Sequence, residues 1–426
     1  MDPFLLNTLI EEQRARLERP LNEREFRFAD SKGKVAVAIG MRRSGKTCLM
    51  LQTMHRLARE GVDPDSMLFL SFDDDRLFPL DAKGAADIVD SFYALVPENH
   101  HRTCHLFLDE IQGVEGWSRL VRRLLDTKDA RLYLSGSSAK LLGKEIATEL
   151  RGRSVTTEVW PYSFGEYLDV RGVRTARPPL GRAGYDLVSR HLRDYFVAGG
   201  FPETVGLDPW RRTRMLQEYV DVVVFRDVVE RHAITNIQVA KYLTRAVLRN
   251  VGRPFSANKF FNDLRSQGRS LGKDTVHAYV AHFEDAFLWF AVPAHEASVR
   301  KAEVSPRKMY AVDPGLAASF LMNPGGNAGH LFENVVFLDL RRRGKEISYY
   351  ITKSGYEVDF VASDGRGAAE LVQVCYDASD NGTMERERRA LRDAEKELGL
   401  KGRLVTPREY LDDIASGRER GVTSSR

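Results

Sequence analysis

Short apolar runs alternate with helical stretches between residues 34 and 134. The runs read VAVAIG, LFLSFD, HLFLDE and LYLSGS, and a helical stretch begins at Lys46, soon after the first of them. Strands of a parallel sheet are buried on both faces, so they appear as continuous apolar runs. The pattern predicts an α/β fold with a parallel sheet, and we expect functional residues at the ends of its strands.

The rest of the chain shows mainly helical periodicity. Residues 5–10 predict an amphipathic N-terminal helix, and a helical region at residues 186–232 is interrupted by the sequence GGFP. From Val239 three helices follow, the second capped by Ser256, and then the apolar strand FLWFAV, with which MYAVD pairs. This is the order of a winged helix-turn-helix, in which residues 274–284 would be the recognition helix on DNA. The same order also suits a module that only packs or contacts proteins.

Composition narrows the class of protein. Of the 426 residues 43% are hydrophobic and 29% are charged, and no stretch approaches the roughly 18 uninterrupted apolar residues that a membrane span needs. The first 19 residues lack the order of a secretory signal, and the three cysteines have no metal-ligand spacing. We therefore expect a globular protein of the reducing cytoplasm, with no membrane partner.

Charge is nearly balanced over the whole chain, with 64 basic and 60 acidic residues and a formal net charge of +4. It is uneven locally, because residues 241–310 hold 12 Lys and Arg against 6 Asp and Glu, a local net of about +6. Both a nucleic-acid face and a solvated, arginine-rich surface fit this excess. Double-stranded DNA is therefore one candidate partner.

Residues 40–47 read GMRRSGKT and fit the G-x-x-x-x-G-K-[ST] pattern of a phosphate-binding loop. The motif lies directly after an apolar strand and directly before a helix, which is the context that it requires. Its glycines let backbone N–H groups point at phosphate oxygens, Lys46 would reach the β and γ phosphates, and Thr47 would supply a hydroxyl to Mg²⁺. The residues expected to hold the nucleotide are Gly40, Arg43, Ser44, Gly45, Lys46, Thr47 and Cys48.

Two carboxylates end the strand HLFL. Asp109 would emerge beside the phosphate-binding loop in the same sheet, where it is expected to be a Mg²⁺ ligand. Glu110 would then orient or deprotonate the attacking water. This pair of carboxylates favours hydrolysis over binding alone.

Two further segments offer polar groups to the same site. Ser137 follows the strand LYLS, where it could sense the γ phosphate or simply cap the next helix. Arg151 and Arg153 could neutralise charge in the transition state, in the same subunit or in a neighbour. A solvated basic turn is an equally good interpretation of these two arginines.

The runs GMRRSGKT, FLDEIQ, LSGSS, LRGR and WPYSFGEYL resemble a prokaryotic family of AAA+-related P-loop ATPases, often grouped with the STAND ATPases. The resemblance spans nearly the whole chain and implies an AAA-type core, a winged helix and a C-terminal domain. It also implies that the GGFP sequence, through Pro202, touches an adenine nucleotide, so the ligands would be ATP and ADP. By the same resemblance, Arg151 or Arg153 would be an arginine finger, and the sequence does not decide which.

The C-terminal domain of that family resembles the PD-(D/E)XK nuclease fold, and the matching positions here are Glu333, Asp359 and Gln373. A working nuclease needs a second carboxylate at the position of Gln373 and a lysine two residues later, where Cys375 stands. Because a neutral amide is a weak Mg²⁺ ligand, we expect this site to be degenerate and inactive. Glu333 and Asp359 would then pair with nearby cations, namely Arg341, Arg342, Arg343 or Lys345.

These observations predict an ATPase switch. ATP and Mg²⁺ would fix the core against the winged helix, hydrolysis would release it, and the C-terminal domain would report the state to a protein partner. A second hypothesis is an ATP-dependent DNA-binding or remodelling protein, and a third is a scaffold that holds ADP with negligible turnover. A finger acting on a neighbour would require a homo-oligomer. The predicted domains are an N-terminal helix (1–28), an ATPase core (29–175), a helical connector (176–236), a winged helix (237–322), a degenerate nuclease-like domain (328–413) and a polar tail (414–426).

Overall fold

The computed structural model describes residues 3–29, 31, 33–77, 80–136, 150, 152–175, 178–269, 271–296 and 298–417. These residues form two compact units, divided between Trp160 and Pro161. No helix within the described ranges has the length and apolar character that a bilayer-spanning helix needs. Each unit is described by itself.

The described part of the first unit contains a five-stranded parallel sheet with the strand order β2-β3-β4-β1-β5. This confirms the predicted α/β class. The polar fifth strand has no apolar signal, because it lies at an edge and is only half-buried. The strands are β1 (Val35–Ile39), β2 (Met67–Ser71), β3 (Cys104–Asp109), β4 (Ala130–Gly136) and β5 (Ser154–Glu158).

Helices cover this sheet, and the N-terminal one also satisfies the backbone of edge strand β2. Gln13 donates through Nε2 to the carbonyl of Met67 at 3.1 Å and accepts from the N–H of Phe69 at 2.7 Å. These bonds occupy backbone groups that an edge strand would otherwise expose. The helices are α1 (Pro3–Leu17), α2 (Lys46–Arg59), α3 (Ala82–Leu95) and α4 (Trp117–Thr127), with 3₁₀ turns at Pro64–Ser66, Asp75–Leu77, Pro97–His101 and Ile111–Gly113.

The second unit begins with helices, and the predicted break at residues 199–202 is present. A Cβ on Gly200 would lie 2.1 Å from the carbonyl oxygen of Tyr162, and one on Gly199 would lie 2.0 Å from Oδ1 of Asp313. Only glycine permits these approaches. The elements are α5 (Phe164–Val170), α6 (Arg182–Ala198), a 3₁₀ turn (Pro202–Thr204), α7 (Pro209–Val222) and a π-helical segment (Val223–Glu230).

The three predicted helices and the predicted pair of strands follow, with two elements that were not predicted: a short strand between the first two helices and a short helix between the paired strands. Ser256 caps the second helix by accepting from the N–H of Lys259 at 3.3 Å, and β8 pairs with both β6 and β7. The elements are α8 (Ile237–Leu248), β6 (Pro254–Phe255), α9 (Ala257–Ser266), α10 (Lys273–Asp285), β7 (Trp289–Val292), α11 (Val299–Val304), β8 (Arg307–Ala311) and α12 (Pro314–Ala318).

The C-terminal part of this unit is built on a mixed sheet with the order β12-β11-β10-β9. Strands β9, β10 and β11 are antiparallel, and α14 carries the chain over to β12, which runs parallel to β11. After a 3₁₀ turn (Gly325–Asn327), the elements are α13 (Ala328–Arg342), β9 (Glu346–Ile351), β10 (Glu357–Ser363), β11 (Ala369–Val374), α14 (Asn381–Leu398), β12 (Lys401–Val405) and α15 (Pro407–Ala415).

Candidate functional site

The loop between β1 and α2 has the backbone of a phosphate cradle. Arg43 lies in the left-handed region with φ of 65°, and Gly45 has φ of 105° and precedes the first turn of α2. A Cβ on Gly40 would lie 2.2 Å from the carbonyl oxygen of Val159. The loop therefore places the positive end of α2 and successive N–H groups around one concave space.

Lys46 is held inside this loop. Its ammonium donates to the carbonyl oxygens of Gly40 at 3.1 Å and Met41 at 3.2 Å, and it lies 3.7 Å from Oε1 of Glu110. The Lys46 side chain is 4% exposed. Its cation is thus positioned between the loop and the end of β3 before any anion is bound.

Asp109 ends β3 beside the loop, because β3 and β1 are both neighbours of β4 in the parallel sheet. It accepts a hydrogen bond from Thr47 Oγ1 at 2.8 Å, and its other oxygen accepts one from the hydroxyl of Ser135 at the end of β4. Burial raises the pKa of Asp109, the nearby Glu110 adds to this, and the two hydroxyls oppose it. Asp109 and Thr47 therefore meet, as predicted for two groups on one Mg²⁺ ion.

Glu110 has a different environment from its neighbour. Its backbone is left-handed, with φ of 53°, and its N–H donates to Ser135 Oγ at 2.9 Å. Its carboxylate accepts from the amide of Gln112 and faces Lys46. The backbone turn thus separates the two adjacent carboxylates, one buried against hydroxyls and one directed at the loop lysine.

Arg24 contributes to the site and was missed by the sequence analysis. Its guanidinium donates to the carbonyl of Ser44 at 3.1 Å and to that of Trp160 at 2.8 Å, and the residue is 6% exposed. Gln52 of α2 fixes the backbone of Arg24 with bonds of 2.8 and 3.2 Å. Arg24 lies outside every recognised motif, so no local signal could have identified it.

Asp73 is a second group that the sequence analysis missed, although a signal existed. Burial raises its pKa, as does the charge of Glu110, while Arg42 and Lys46 lower it. Asp73 follows β2, so it emerges at the same sheet edge as Asp109. The acidic run after the strand LFLSF could have indicated this position.

The loop fits a nucleotide's phosphates on two structural grounds. Ser44 Oγ is fully buried and has no hydrogen-bond partner among the residues that the structure describes, although a buried hydroxyl normally has one. A Cβ at Gly40 would meet the backbone oxygen of Val159, so only glycine lets the loop take this course. Thr47 and Asp109 offer the oxygen atoms that Mg²⁺ prefers.

The remaining predicted residues of this site have mixed outcomes. Cys48 is exposed on the first turn of α2. Arg153 pairs with Asp126 at 2.7 Å and precedes β5, so it lies at the sheet edge opposite to the loop, roughly 16 Å away along a five-residue strand. A role for Arg153 on nucleotide held by the same chain is therefore excluded, and a role on a neighbouring chain stays a prediction. Ser137 and Arg151 lie outside the described residues.

Pro202 begins the 3₁₀ turn that follows Gly199 and Gly200, and it lies in the second unit. The N–H of Gly200 donates to Asp313 at 2.6 Å, and Tyr162 donates its own N–H to the carbonyl of Gly200 at 2.7 Å. The GGFP segment is therefore a packed junction inside the second unit. Its contact with nucleotide stays a prediction.

The three residues of the degenerate nuclease-like site do converge. Glu333, Asp359 and Gln373 line one cavity of about 680 Å³. The cation that contacts both carboxylates is Lys308 of β8, at 2.5 Å from Glu333 and 3.2 Å from Asp359. The expected pairing with arginines 341–343 or Lys345 is therefore wrong.

These residues do not fit the Mg²⁺ that a nuclease fold implies. The described part of the chain contains no group of three or more His, Cys, Asp or Glu residues that could hold a metal ion. Burial raises the pKa of Asp359, and the charge of Glu333 adds to this. Burial acts in the same direction on Glu333, but the charge of Lys308 together with hydrogen bonds from His330, Lys308 and Tyr310 lowers the pKa of that carboxyl.

Family models match three consecutive parts of the chain. A model for an AAA domain matches residues 32–168, which include the parallel sheet and the loop. Two domains of unknown function follow, DUF8612 at residues 189–325 and DUF4143 at residues 328–418. The first unit therefore carries an AAA-type P-loop domain.

Related chains match over most of their length. The uncharacterized protein MJ1544 of Methanocaldococcus jannaschii is 34% identical over 371 residues, which cover 86% of this chain and 80% of that one. An uncharacterized protein of Haemophilus influenzae is 29% identical, with coverage of 82% and 84%. The Walker-type ATPase PABY2304 of Pyrococcus abyssi is similar at a TM-score of 0.41 and 12% identity, over 73% of this chain and 95% of that one.

Proposed function

Since this chain belongs to the family of the Methanocaldococcus jannaschii protein MJ1544 and carries an AAA domain, we propose that it is a Mg²⁺-dependent ATPase that acts as a nucleotide switch. The observation that carries this proposal is the meeting of Thr47, Lys46, Asp109 and Glu110 at the carboxyl edge of the parallel sheet. Binding alone needs the loop and its lysine. The second carboxylate is what favours hydrolysis.

The proposed roles follow from the surroundings of each group. The loop N–H groups, Ser44 and Lys46 would hold the phosphates of ATP, and Thr47 and Asp109 would hold Mg²⁺, which neutralises phosphate charge. Glu110 would orient or deprotonate the attacking water, because it lies beside Lys46 and outside the hydroxyl contacts that hold Asp109. Arg24 would keep the loop in its binding shape through the carbonyl of Ser44.

ATP turnover by the wild type, Lys46→Ala and Glu110→Gln tests these roles. We expect Lys46→Ala to lose nucleotide binding, and we expect Glu110→Gln to keep binding and lose turnover by a factor of about 10² or more. Turnover retained in Glu110→Gln would refute the role of Glu110. Wild-type protein that is purified with ADP and shows no turnover would favour the third hypothesis, the ADP-holding scaffold.

One observation favours the second candidate function, an ATPase directed to DNA. Lys241, Arg245 and Arg249 lie four residues apart along α8 and its C-terminal end, and all three line a groove of about 480 Å³. Within the described residues none of the three has a carboxylate ion-pair partner. By contrast, α10 exposes only Lys273, Asp274 and His277. The basic side chains of α8 would therefore contact the phosphates of DNA, and binding would be largely independent of the DNA sequence.

The DNA hypothesis is tested by binding of double-stranded DNA at low and at physiological salt. We expect Arg245→Gln to weaken binding and to reduce its salt dependence, because one phosphate contact is lost. Arg226→Gln is a matched control, since Arg226 is exposed but pairs with Glu230 at 3.1 Å. Turnover and binding that do not respond to DNA would leave the switch with a protein partner as the better proposal.

A further inference from the structure

Lys308 is a charged side chain in the interior of the second unit. It lies on the central strand of the three-stranded sheet, where β8 pairs with β6 and β7, and its side chain is 1% exposed. Lysines are rarely buried to this extent unless their charge is compensated. Its neighbour Arg307, the first residue of the same strand, is exposed, whereas the four residues from Lys308 to Ala311 are all buried.

The compensating groups come from the C-terminal mixed sheet and its first helix. The Lys308 ammonium donates to Glu333 of α13 at 2.5 Å, to Glu357 at the start of β10 at 2.8 Å, and to Asp359 at 3.2 Å. Tyr310, two residues along β8 and on the same face, donates its hydroxyl to Glu333 at 2.6 Å. Three elements of the fold thus share one cation.

The remaining oxygen of Asp359 accepts the N–H of Val374 at 2.9 Å, and Gln373 donates its amide to Glu387 at 2.6 Å. The polar groups at the base of the cavity are therefore engaged with each other and with Lys308. The C-terminal domain has Cys375 at the position where a working nuclease has a lysine. In the folded protein a lysine from another element, Lys308 of β8, reaches the same carboxylates. It is placed as a counter-ion against the carboxylates themselves.

We propose that the three carboxylates of Glu333, Glu357 and Asp359 at the wall of this cavity form an ammonium site, and that Lys308 occupies it permanently in place of a divalent metal ion. The side chain thereby ties the three-stranded sheet to the mixed sheet, so that the two lose structure together. The domain would then act as a structural and signalling partner of the small sheet and not as a nuclease.

Thermal unfolding of Lys308→Met tests whether Lys308 stabilises the buried carboxylates. The change keeps the length of the side chain but leaves buried carboxylates without a cation, and we expect the melting temperature to fall on the order of 10 °C. The double variant Lys308→Met with Glu333→Gln removes one of the carboxylates left without a cation and should recover part of that loss. Arg307→Met is the matched control on the same strand and should melt like the wild type.

Limited proteolysis tests whether Lys308 holds the three-stranded sheet and the mixed sheet together. Residues 319–327 join the two sheets, and we expect cleavage there to be faster in Lys308→Met than in the wild type or in Arg307→Met. A Lys308→Met protein as stable and as resistant as Arg307→Met would overturn the proposal, and so would a double variant no more stable than the single one. If Lys308→Met does not fold, recovery of folded protein in the double variant is the expected result, and its absence counts against the proposal.

Binding of Mn²⁺ to nucleotide-free protein tests whether Lys308 takes the place of a divalent metal ion. We expect Asp359→Asn to bind as much Mn²⁺ as the wild type, since Lys308 already occupies the carboxylates. Electron paramagnetic resonance of titrated Mn²⁺ measures this directly. A wild-type Mn²⁺ site that disappears in Asp359→Asn would show that a metal displaces Lys308, and the proposal would be wrong.

Discussion

The loop that would hold the nucleotide is supported from outside its own motif by Arg24, and replacing that residue should weaken nucleotide binding. Arg24→Met keeps an apolar stem of similar reach and removes the guanidinium. Two buried carbonyls, those of Ser44 and Trp160, then lose donors at 3.1 and 2.8 Å. The groups proposed to contact phosphate are all left in place.

The size of the effect follows from these two bonds. A hydrogen bond from a charged donor contributes about 1.5–3 kcal/mol, so the two together amount to about 3–6 kcal/mol before relaxation. Arg24 is 6% exposed, so water can replace only part of this. If about half of the loss appears as disorder of the loop, the dissociation constant for ATP rises about 10- to 100-fold. The turnover number at saturating ATP should change little, because Glu110 does not contact Arg24.

Titration with a fluorescent ATP analogue measures this dissociation constant, and turnover at saturating ATP is measured in parallel. Arg19→Met is the matched control, because Arg19 is an exposed arginine in the same N-terminal segment. An Arg24→Met protein that binds ATP within about threefold of Arg19→Met would refute the reasoning. Equal weakening of ATP binding by both variants would refute it as well, because the loss of any positive charge in this segment would then explain the effect.

Two further outcomes follow from close contacts and burial. Gly40→Ala should abolish nucleotide binding, because its Cβ would lie 2.2 Å from the carbonyl oxygen of Val159. Gly181→Ala should bind normally, because its Cβ would meet no atom of the described residues within 4 Å. Burial raises the pKa of Asp313 to about 6, so the folded protein binds a proton that the unfolded chain, with a usual Asp pKa of 3.8, releases between those values. The contribution of Asp313 to the free energy of unfolding should therefore fall by about 3 kcal/mol at most as pH rises from 4 to 6. Urea unfolding should lose this component in Asp313→Asn, and an unchanged pH dependence in that variant would contradict the assignment.

Much of the first unit was predictable because its signals are local. The motif at residues 40–47 encodes its own backbone turn and helix start, and four of the five strands are continuous apolar runs. Asp109 and Glu110 could be placed because the carboxyl ends of parallel strands share one edge of a sheet. The fifth strand was not recognised, since an edge position removes the need for apolar side chains.

Roles that depend on contacts distant in sequence were not predictable. Arg24 contacts Ser44, which is 20 residues away in sequence, and Trp160, which is 136 residues away. Lys308 contacts Asp359, which is 51 residues away. Neither Arg24 nor Lys308 stands in a motif that the sequence offers. The sequence predicted that a cation close to Glu333 along the chain would pair with it. The packing of the two sheets instead supplies Lys308 from β8.

The sequence by itself thus determined the chemistry of the loop at residues 40–47, the parallel class of its sheet and the positions of the three helices that follow residue 236. These features depend on residue spacing and backbone preference within a few turns of chain. Only the tertiary structure decided which side chains support the loop and which cation neutralises Glu333 and Asp359. Burial makes such contacts strong, but they form between strands and helices whose separation in sequence carries no periodic signal.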